Sequence, residues 1–117
     1  MIETANDQNI GGAASTEVKR LAELLQYQEG SIVSRVLLKN KGGTVTLFAL
    51  DAGEGISEHT APFDALVMVM EGEAEIAIAG ESFKVQQGEL IILPAHQPHS
   101  VKAPTRLKML LNMIRTW

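Results

Sequence analysis

After Gly30 the chain consists of short segments rich in β-branched and other apolar residues, some of which recur at every second position, the period of a β-strand. Glu73–Ala79 is the clearest case, because Ala74, Ile76 and Ile78 fall on one face and polar or small residues fall on the other. Turn residues separate such segments roughly every 8–12 residues. The predicted strands are Ser31–Lys39, Thr44–Asp51, a short strand that starts at His59, Asp64–Glu71, Glu73–Ala79, Ser82–Val85, Glu89–Leu93, His99–Lys102 and Leu107–Arg115.

Many short strands with very little helix are typical of a sandwich or a barrel, so the chain is predicted to be all-β. Periodicity leaves one segment open, since Leu107–Arg115 would also serve as a short helix. The barrel is expected over residues 30–115, within a single domain of residues 16–117.

A different pattern precedes the strands. Residues 1–15 are mostly polar or small and are expected to form a flexible lead. Ser15 or Thr16 can cap a helix, and Val18, Leu21 and Leu24 follow with the spacing of an amphipathic stripe. A short helix over about 16–27, packed against the barrel or a neighbouring subunit, is therefore predicted.

Composition narrows the possible functions. The chain of 117 residues is long enough to bury a core, and because it contains no cysteine it has no disulfides and no thiolate ligands. A net charge of −4 with dispersed basic residues argues against nucleic-acid binding. No apolar run is long enough to cross a bilayer, and no secretory leader is visible at the N-terminus, so a cytoplasmic location without membrane contact is expected by default.

Two similar stretches hold all three histidines. Residues 53–72 begin at a glycine turn, carry His59, run through an apolar strand and end at Gly72. Residues 88–101 begin at Gly88, run through an apolar strand and a proline-containing loop, and carry His96 and His99. Imidazoles are the chain's most suitable groups for binding a metal or moving a proton, so these stretches are the predicted site.

The spacing of these residues resembles the cupin superfamily, in particular its small single-domain conserved-barrel (RmlC-like) members. The first cupin motif is a glycine, five residues, His-x-His, three or four residues, a glutamate, six residues and a glycine. The second is a glycine, five residues, Pro-x-Gly, two residues, a histidine, three residues and an asparagine. The matching positions here are Gly53, His59, Gly72, Gly88, Pro94 and His99. The resemblance implies a double-stranded β-helix, or jelly-roll, barrel.

Four departures from the motifs concern the function. Ala61 and Ala65 replace a histidine and the glutamate of motif one, and His96 and Ala103 replace the glycine and asparagine of motif two. In metal-binding cupins the two histidines and the glutamate of motif one, with the histidine of motif two, are the ligands. Only His59 and His99 match such positions.

His96 could supply a third ligand, because Pro98 makes a regular strand between it and His99 unlikely to form and a bent loop could turn both rings inward. Asp64 would face away from the interior unless a bulge turned it back. The expected metal ligands are therefore His59, His99 and His96. The expected cofactor is one divalent transition metal, Zn, Fe, Ni, Cu or Mn, and a metal-free barrel is the alternative.

The predicted function is that of a small cupin that binds a small molecule in the barrel pocket, where a divalent metal held by His59, His99 and His96 could contribute. The alternatives are a metal-dependent cupin enzyme of dioxygenase or isomerase type, a metal-free binding barrel and a structural barrel. The two alanines leave space that aliphatic neighbours would line, which favours small-molecule binding. Catalytic residues and the identity of the ligand are not predicted. A homodimer is expected, because cupins of this size commonly dimerise and strand edges invite pairing.

Overall fold

The computed structural model describes residues 16–115, and within them the chain is almost entirely β-structure, as predicted. The boundaries agree with the sequence pattern to within about two residues for most strands, and Leu107–Arg115 is a strand rather than a helix. The elements are a 3-10 helix Leu21–Glu23 and the strands β1 Ile32–Asn40, β2 Gly43–Leu50, β3 Gly55–His59, β4 Phe63–Glu71, β5 Glu73–Ile78, β6 Glu81–Gln86, β7 Leu90–Leu93, β8 His99–Lys102 and β9 Leu107–Arg115.

Two sheets enclose the core. A five-stranded sheet has the order β1-β2-β9-β4-β7, and a four-stranded sheet has the order β3-β8-β5-β6. All of the strand pairs are antiparallel. Alternation places Val67 and Val69 of β4, Ile76 of β5 and Met109 of β9 in one buried cluster between the sheets.

A second, smaller cluster lies on the opposite face of the five-stranded sheet. Leu25 packs there against Val33, Leu47 and Ala49, with Leu21 and other residues of the N-terminal segment around it. β2 is therefore buried on both faces, which explains its nearly continuous apolar sequence.

The predicted helix over 16–27 is limited to a single 3-10 turn. Its carbonyl groups bond to the sheet instead of to a continuing helix. Lys108 Nζ donates to the Ala22 carbonyl at 2.6 Å, and Arg35 Nη1 donates to the Leu24 carbonyl at 3.1 Å. An α-helix would need those carbonyls for its own N–H groups four residues on, so docking on the sheet replaces helix formation. The predicted flexible lead, residues 1–15, lies outside the described residues.

No helix within residues 16–115 has the length and apolar character required to span a membrane.

Candidate metal site

His59 and His99 lie opposite each other on the paired strands β3 and β8. The pairing is Ile56 with Val101 and then His59 with His99, so β3 uses three residues where β8 uses two. This bulge returns His59 to the face it would otherwise leave, because side chains three residues apart on a regular strand point to opposite sides. Sequence reasoning placed His59 at the start of a strand, whereas it ends β3.

Gly55 allows the close approach of these two strands. A Cβ atom at Gly55 would lie 2.8 Å from the Val101 carbonyl oxygen. Hydrogen bonds between the Gly53 N–H and the Ala103 carbonyl, at 2.8 Å, and between the Ala103 N–H and the Glu54 carbonyl, at 2.9 Å, hold the beginning of β3 beside the end of β8. The glycine turn therefore fixes the start of β3 beside β8, and His59, at the other end of β3, lies next to His99.

The two imidazole rings meet through their Nε2 atoms, which are 3.1 Å apart. The ring planes are inclined at 68°, with centroids 4.3 Å apart. Each Nδ1 atom faces a backbone carbonyl: His59 Nδ1 lies 2.8 Å from the Ser57 oxygen, and His99 Nδ1 lies 3.1 Å from the Gln97 oxygen. Sequence reasoning could not identify these carbonyl partners.

When both rings are neutral, the pair carries one hydrogen fewer than its contacts require. Three contacts each require one hydrogen, namely the two Nδ1–carbonyl contacts and the Nε2–Nε2 contact, but two neutral imidazoles carry only two hydrogens. Because a carbonyl oxygen can only accept, the favourable assignment puts both hydrogens on Nδ1 and leaves two Nε2 lone pairs facing each other. A third proton or a metal cation would resolve this opposition.

Burial disfavours a proton on His99. His99 is buried, and loss of solvent lowers its pKa from the ordinary histidine value. The hydrogen bond to the Gln97 carbonyl opposes this shift, and the neighbouring His59 adds to it. The His99 ring therefore favours its neutral form, in which the Nε2 lone pair is available to a cation.

His96 is placed differently from the other two histidines. It is exposed on the loop between β7 and β8 and has a positive φ of 67°. Its backbone N–H donates to the Ala61 carbonyl at 2.8 Å, so the loop is tied to the segment that follows His59. Asp64 fixes the same loop, because its Oδ1 accepts the Ala95 N–H at 2.9 Å. Asp64 therefore holds the loop in place, and its carboxylate does not turn towards the interior.

Across residues 16–115, no three side chains of His, Asp or Glu are grouped closely enough to hold a metal ion. The structure therefore brings together His59 and His99 but does not add His96 to them. Ala65, at the position of the motif-one glutamate, is 7% exposed and lies directly opposite Met113 and Leu93. The family's carboxylate is thus replaced by a methyl group in an apolar setting.

The large apolar side chains of the five-stranded sheet divide between its two faces. Phe48, Leu50, Val67, Val69 and Met109 belong to the cluster between the sheets, and Leu111 and Met113 pack against it. Leu47 and Met70 belong instead to the smaller cluster under the N-terminal segment. A surface groove of about 340 Å³ lies elsewhere, along the outer side of β1, β2, β9 and β4, and no histidine lines it.

Two antiparallel sheets that enclose one core, with a histidine pair where the paired strands β3 and β8 adjoin, define a jelly-roll protein. The cupin domain family matches residues 46–113, which is more than half of the chain. The chain belongs to the cupin family. No curated protein matches it.

Solved structures agree with this assignment. The conserved SPY1581 protein of unknown function from Streptococcus pyogenes is 32% identical, with a TM-score of 0.84 over 88% of this chain and 90% of that one. A Cupin 2 conserved barrel domain protein from Leptotrichia buccalis is 40% identical, with a TM-score of 0.78 over 80% of this chain and 46% of that one. A salicylate 1,2-dioxygenase from Pseudoaminobacter salicylatoxidans, 17% identical with a TM-score of 0.67 over 71% of this chain and 26% of that one, shares the fold.

Proposed function

We propose that this cupin binds a small molecule through a divalent transition metal held by His59 and His99. The observation that carries the proposal is the approach of the two Nε2 atoms to 3.1 Å, while the Nδ1 atom of each ring faces a backbone carbonyl. Histidine ligands to metals are typically held in this way, by a hydrogen bond from the second ring nitrogen.

The distance between the two donors fits a shared cation. Metal–imidazole bonds are about 2.0–2.1 Å long, so two Nε2 atoms 3.1 Å apart are close enough for both to bind one cation. Two neutral nitrogen donors without a carboxylate suit Zn, Cu, Ni or Fe better than Mn. When bound, the metal would supply a Lewis acid that polarises an oxygen of the ligand.

Two protein donors leave most of the coordination shell to the ligand and to water. A ligand that carries its own oxygen or nitrogen donors on an otherwise apolar body would complete the shell. Residues of this chain would orient the two rings, exclude water with aliphatic side chains and contact the ligand body. Metal held by two histidines alone is expected to exchange readily, so ligand and metal should strengthen each other's binding.

One buried hydroxyl supports a polar contact to such a ligand. Thr44 lies directly opposite Met113 on β9, and Met113 lies directly opposite Ala65 on β4, so the three side chains share the interior face. Thr44 Oγ1 is buried and has no hydrogen-bond partner within residues 16–115. A buried hydroxyl without a partner is costly, and a ligand acceptor in this row would satisfy it.

The metal content of untagged protein tests the proposal. Zn, Cu, Ni and Fe are added in turn, and bound metal is measured by elemental mass spectrometry and by isothermal titration calorimetry. About one equivalent is expected for the wild type. His59→Ala and His99→Ala should each lose it, and circular dichroism should show that both variants keep the fold.

His96→Asn is the matched control, because it removes the third histidine and asparagine tolerates the positive φ at this position. Loss of metal in His96→Asn as well would mean that three histidines form the site. Metal far below one equivalent in the wild type, with every cation, would reject the metal site. Thermal stabilisation by a small molecule in the presence of a chelator would then favour a metal-free binding barrel.

A further inference from the structure

A group of three polar side chains lies on the inner face of the five-stranded sheet, at the end of the barrel that holds the histidine pair. β4 begins four residues after His59, and β7 ends six residues before His99, so these short connections place both histidines at the end where β4 begins and β7 ends. Antiparallel pairing brings the end of β1, the beginning of β2 and the end of β9 to the same end. We call Lys39, Thr44 and Arg115 the polar corner.

Strand register places these three side chains on one face. Lys39 is directly opposite Thr44, Thr44 is directly opposite Met113, and Arg115 follows Met113 by two residues. Met113 packs against the cluster between the sheets, so the shared face is the inner one. Directly opposite Cβ atoms are about 4.5–5.5 Å apart and diagonal neighbours are about 7–8 Å apart, so Thr44 lies within reach of both cations.

Neighbouring groups fix the position of Arg115. Its backbone N–H donates to the Gly42 carbonyl at 2.8 Å. A Cβ atom at Gly43 would lie 1.9 Å from the Met113 carbonyl oxygen, so β2 begins in close contact with β9. The Arg115 guanidinium lies over the Phe63 ring, 5.8 Å from its centre, in a cation–π contact. The strands therefore hold this cation at the histidine end of the barrel.

The inner face of the five-stranded sheet carries positive charge. Within residues 16–115, the register places Lys39 and Arg115 on this face and places no Asp or Glu there. Asp64 lies on the opposite face of β4. Glu81 shares the inner face of the other sheet, but it is two strands away from His99, a separation of about 10 Å. An acidic chain with a net charge of −4 therefore presents cations at this end of its interior.

We propose that the polar corner binds a carboxylate group, so that the ligand of this barrel is a small organic acid. The inference rests on the proposed binding of a small molecule in the barrel and adds its chemical class. The planar guanidinium of Arg115 can donate two parallel hydrogen bonds to one carboxylate. Thr44 Oγ1, buried and without a partner within residues 16–115, can donate a third. Lys39 adds favourable charge at the entrance.

The hydroxyl of Thr44 is accessible to a ligand through movement of one neighbour. Met113, directly opposite Thr44, is only partly buried. Methionine side chains are unbranched and flexible, so a ligand can displace this one at little cost. The carboxylate would then replace an apolar neighbour of the hydroxyl by a hydrogen-bond acceptor, which removes the cost of its burial without a partner.

The polar corner suits a carboxylate better than a phosphate. Phosphate sites generally use several free backbone N–H groups, at a helix N-terminus or in a concave turn. Here the Gly42 N–H donates to Asn40 Oδ1 at 2.7 Å, and the Arg115 N–H donates to the Gly42 carbonyl. The donors that face the ligand are therefore side chains, and the planar fork of Arg115 matches the two oxygen atoms of a carboxylate.

Matched pairs of small molecules test the proposal. Benzoate, phenylacetate and hexanoate are each compared with the amide of the same shape, in chelator-treated protein, where no metal can attract the carboxylate. Heteronuclear NMR titration follows the Arg115 Nε–H and Thr44 backbone N–H signals. At least one acid should shift both signals and bind about 10-fold or more tightly than its amide. If no acid binds more tightly than its amide, the proposal is overturned.

Variants of the polar corner identify the groups responsible. Arg115→Gln changes an exposed residue at the end of β9 and should weaken binding of the tightest acid about 10-fold or more, with the affinity for its amide unchanged. Thr44→Val should weaken it roughly five-fold. Lys102→Gln removes the same charge from an exposed position of β8 and is the matched control. An equal loss in Lys102→Gln would reduce the effect to net charge and overturn the proposal. Circular dichroism checks that each variant is folded.

These results are separate from those of the metal titration. Acid binding through Arg115 in a protein that binds no metal would support the polar corner and reject the metal site. Stoichiometric metal without preference for any acid would do the reverse. Inorganic phosphate that shifts the Arg115 signal more strongly than every acid would overturn the assignment to carboxylates.

Discussion

His59 Nε2 lies 3.1 Å from His99 Nε2, although 40 residues separate the two along the chain. Each ring is held by a carbonyl two residues before it, that of Ser57 and that of Gln97. The pair therefore needs no side chain from elsewhere to orient it. The two Nε2 atoms are thus held side by side, and this arrangement is the physical basis of the proposed function.

The pH dependence of stability should reflect His99 in metal-free protein. Burial lowers its pKa in the folded state, so the unfolded chain takes up a proton first as the pH falls below about 6.5. More protons are then bound to the unfolded state, and the stability present above that pH is lost on acidification. The melting temperature of chelator-treated protein should therefore fall between about pH 7 and pH 5. His99→Asn should flatten this part of the profile, and an unchanged profile in the variant would contradict the assignment.

Metal affinity should fall over the same pH range. A metal ion binds neutral imidazole, so each proton that it displaces weakens apparent binding about 10-fold per pH unit below the pKa concerned. Because the pKa of His99 is lowered, this residue should not begin to compete with metal until the solution is more acidic than for an exposed histidine. Calorimetric titration with Zn at several pH values measures the effect. Affinity that does not change with pH would exclude histidine ligands.

Thr44→Val should stabilise the protein in the absence of ligand. Valine has nearly the same shape and removes the buried Oγ1 atom that has no partner in the described part of the chain. The expected gain is about 1 kcal/mol in the free energy of unfolding, measured with urea. Thr46→Val is the comparison on the same strand and face, because Thr46 is also buried but its hydroxyl is not among the unpartnered atoms. A destabilised Thr44→Val would show that the hydroxyl has a partner in solution.

Gly72→Ala should be far more damaging than Gly88→Ala. Both glycines have a positive φ, 81° and 86°, so both substitutions impose about 1–2 kcal/mol of backbone strain. Only at Gly72 would the new Cβ meet another atom, the Arg106 carbonyl oxygen, at 1.9 Å, whereas the space at Gly88 is open. We expect a loss on the order of 4 kcal/mol for Gly72→Ala in urea unfolding. Equal losses would mean that strain alone explains both motif glycines.

Lys108→Met should loosen the N-terminal segment without unfolding the barrel. The buried Lys108 Nζ donates to the Ala22 carbonyl at 2.6 Å and lies 5.0 Å from the centre of the Tyr27 ring. Methionine keeps the length but neither contact, so local opening should become easier by about 1 kcal/mol, roughly five-fold. Trypsin cleavage after the exposed Lys19 or Arg20 measures this opening. Lys102→Met, at an exposed position of β8, should leave the cleavage rate unchanged.

Much of the fold could be predicted from the sequence. The alternation in β5 and the turn residues between strands depend only on residues that are neighbours in the chain. Glu73–Ile78 shows why: Ala74 and Ile76 are fully buried, as their spacing indicates. Segments that are apolar on both faces did not show from sequence alone whether they form a strand or a helix, or which face is buried. β9 was compatible with a helix, since its sequence does not distinguish the face towards the core from the face with Leu110 and Ile114.

By itself, the sequence determined the β-strand content, the single barrel and, through its resemblance to the cupin motifs, the pair His59 and His99. Tertiary structure decided what depends on register and on contacts between distant segments. The bulge in β3 determines that His59 faces His99, and the carbonyls of Ala22 and Leu24 bond to Lys108 and Arg35 instead of continuing a helix. The order of the five strands likewise brings residues that are far apart in the chain onto one face of the sheet. Local periodicity cannot encode such relationships, because each depends on which strands become neighbours.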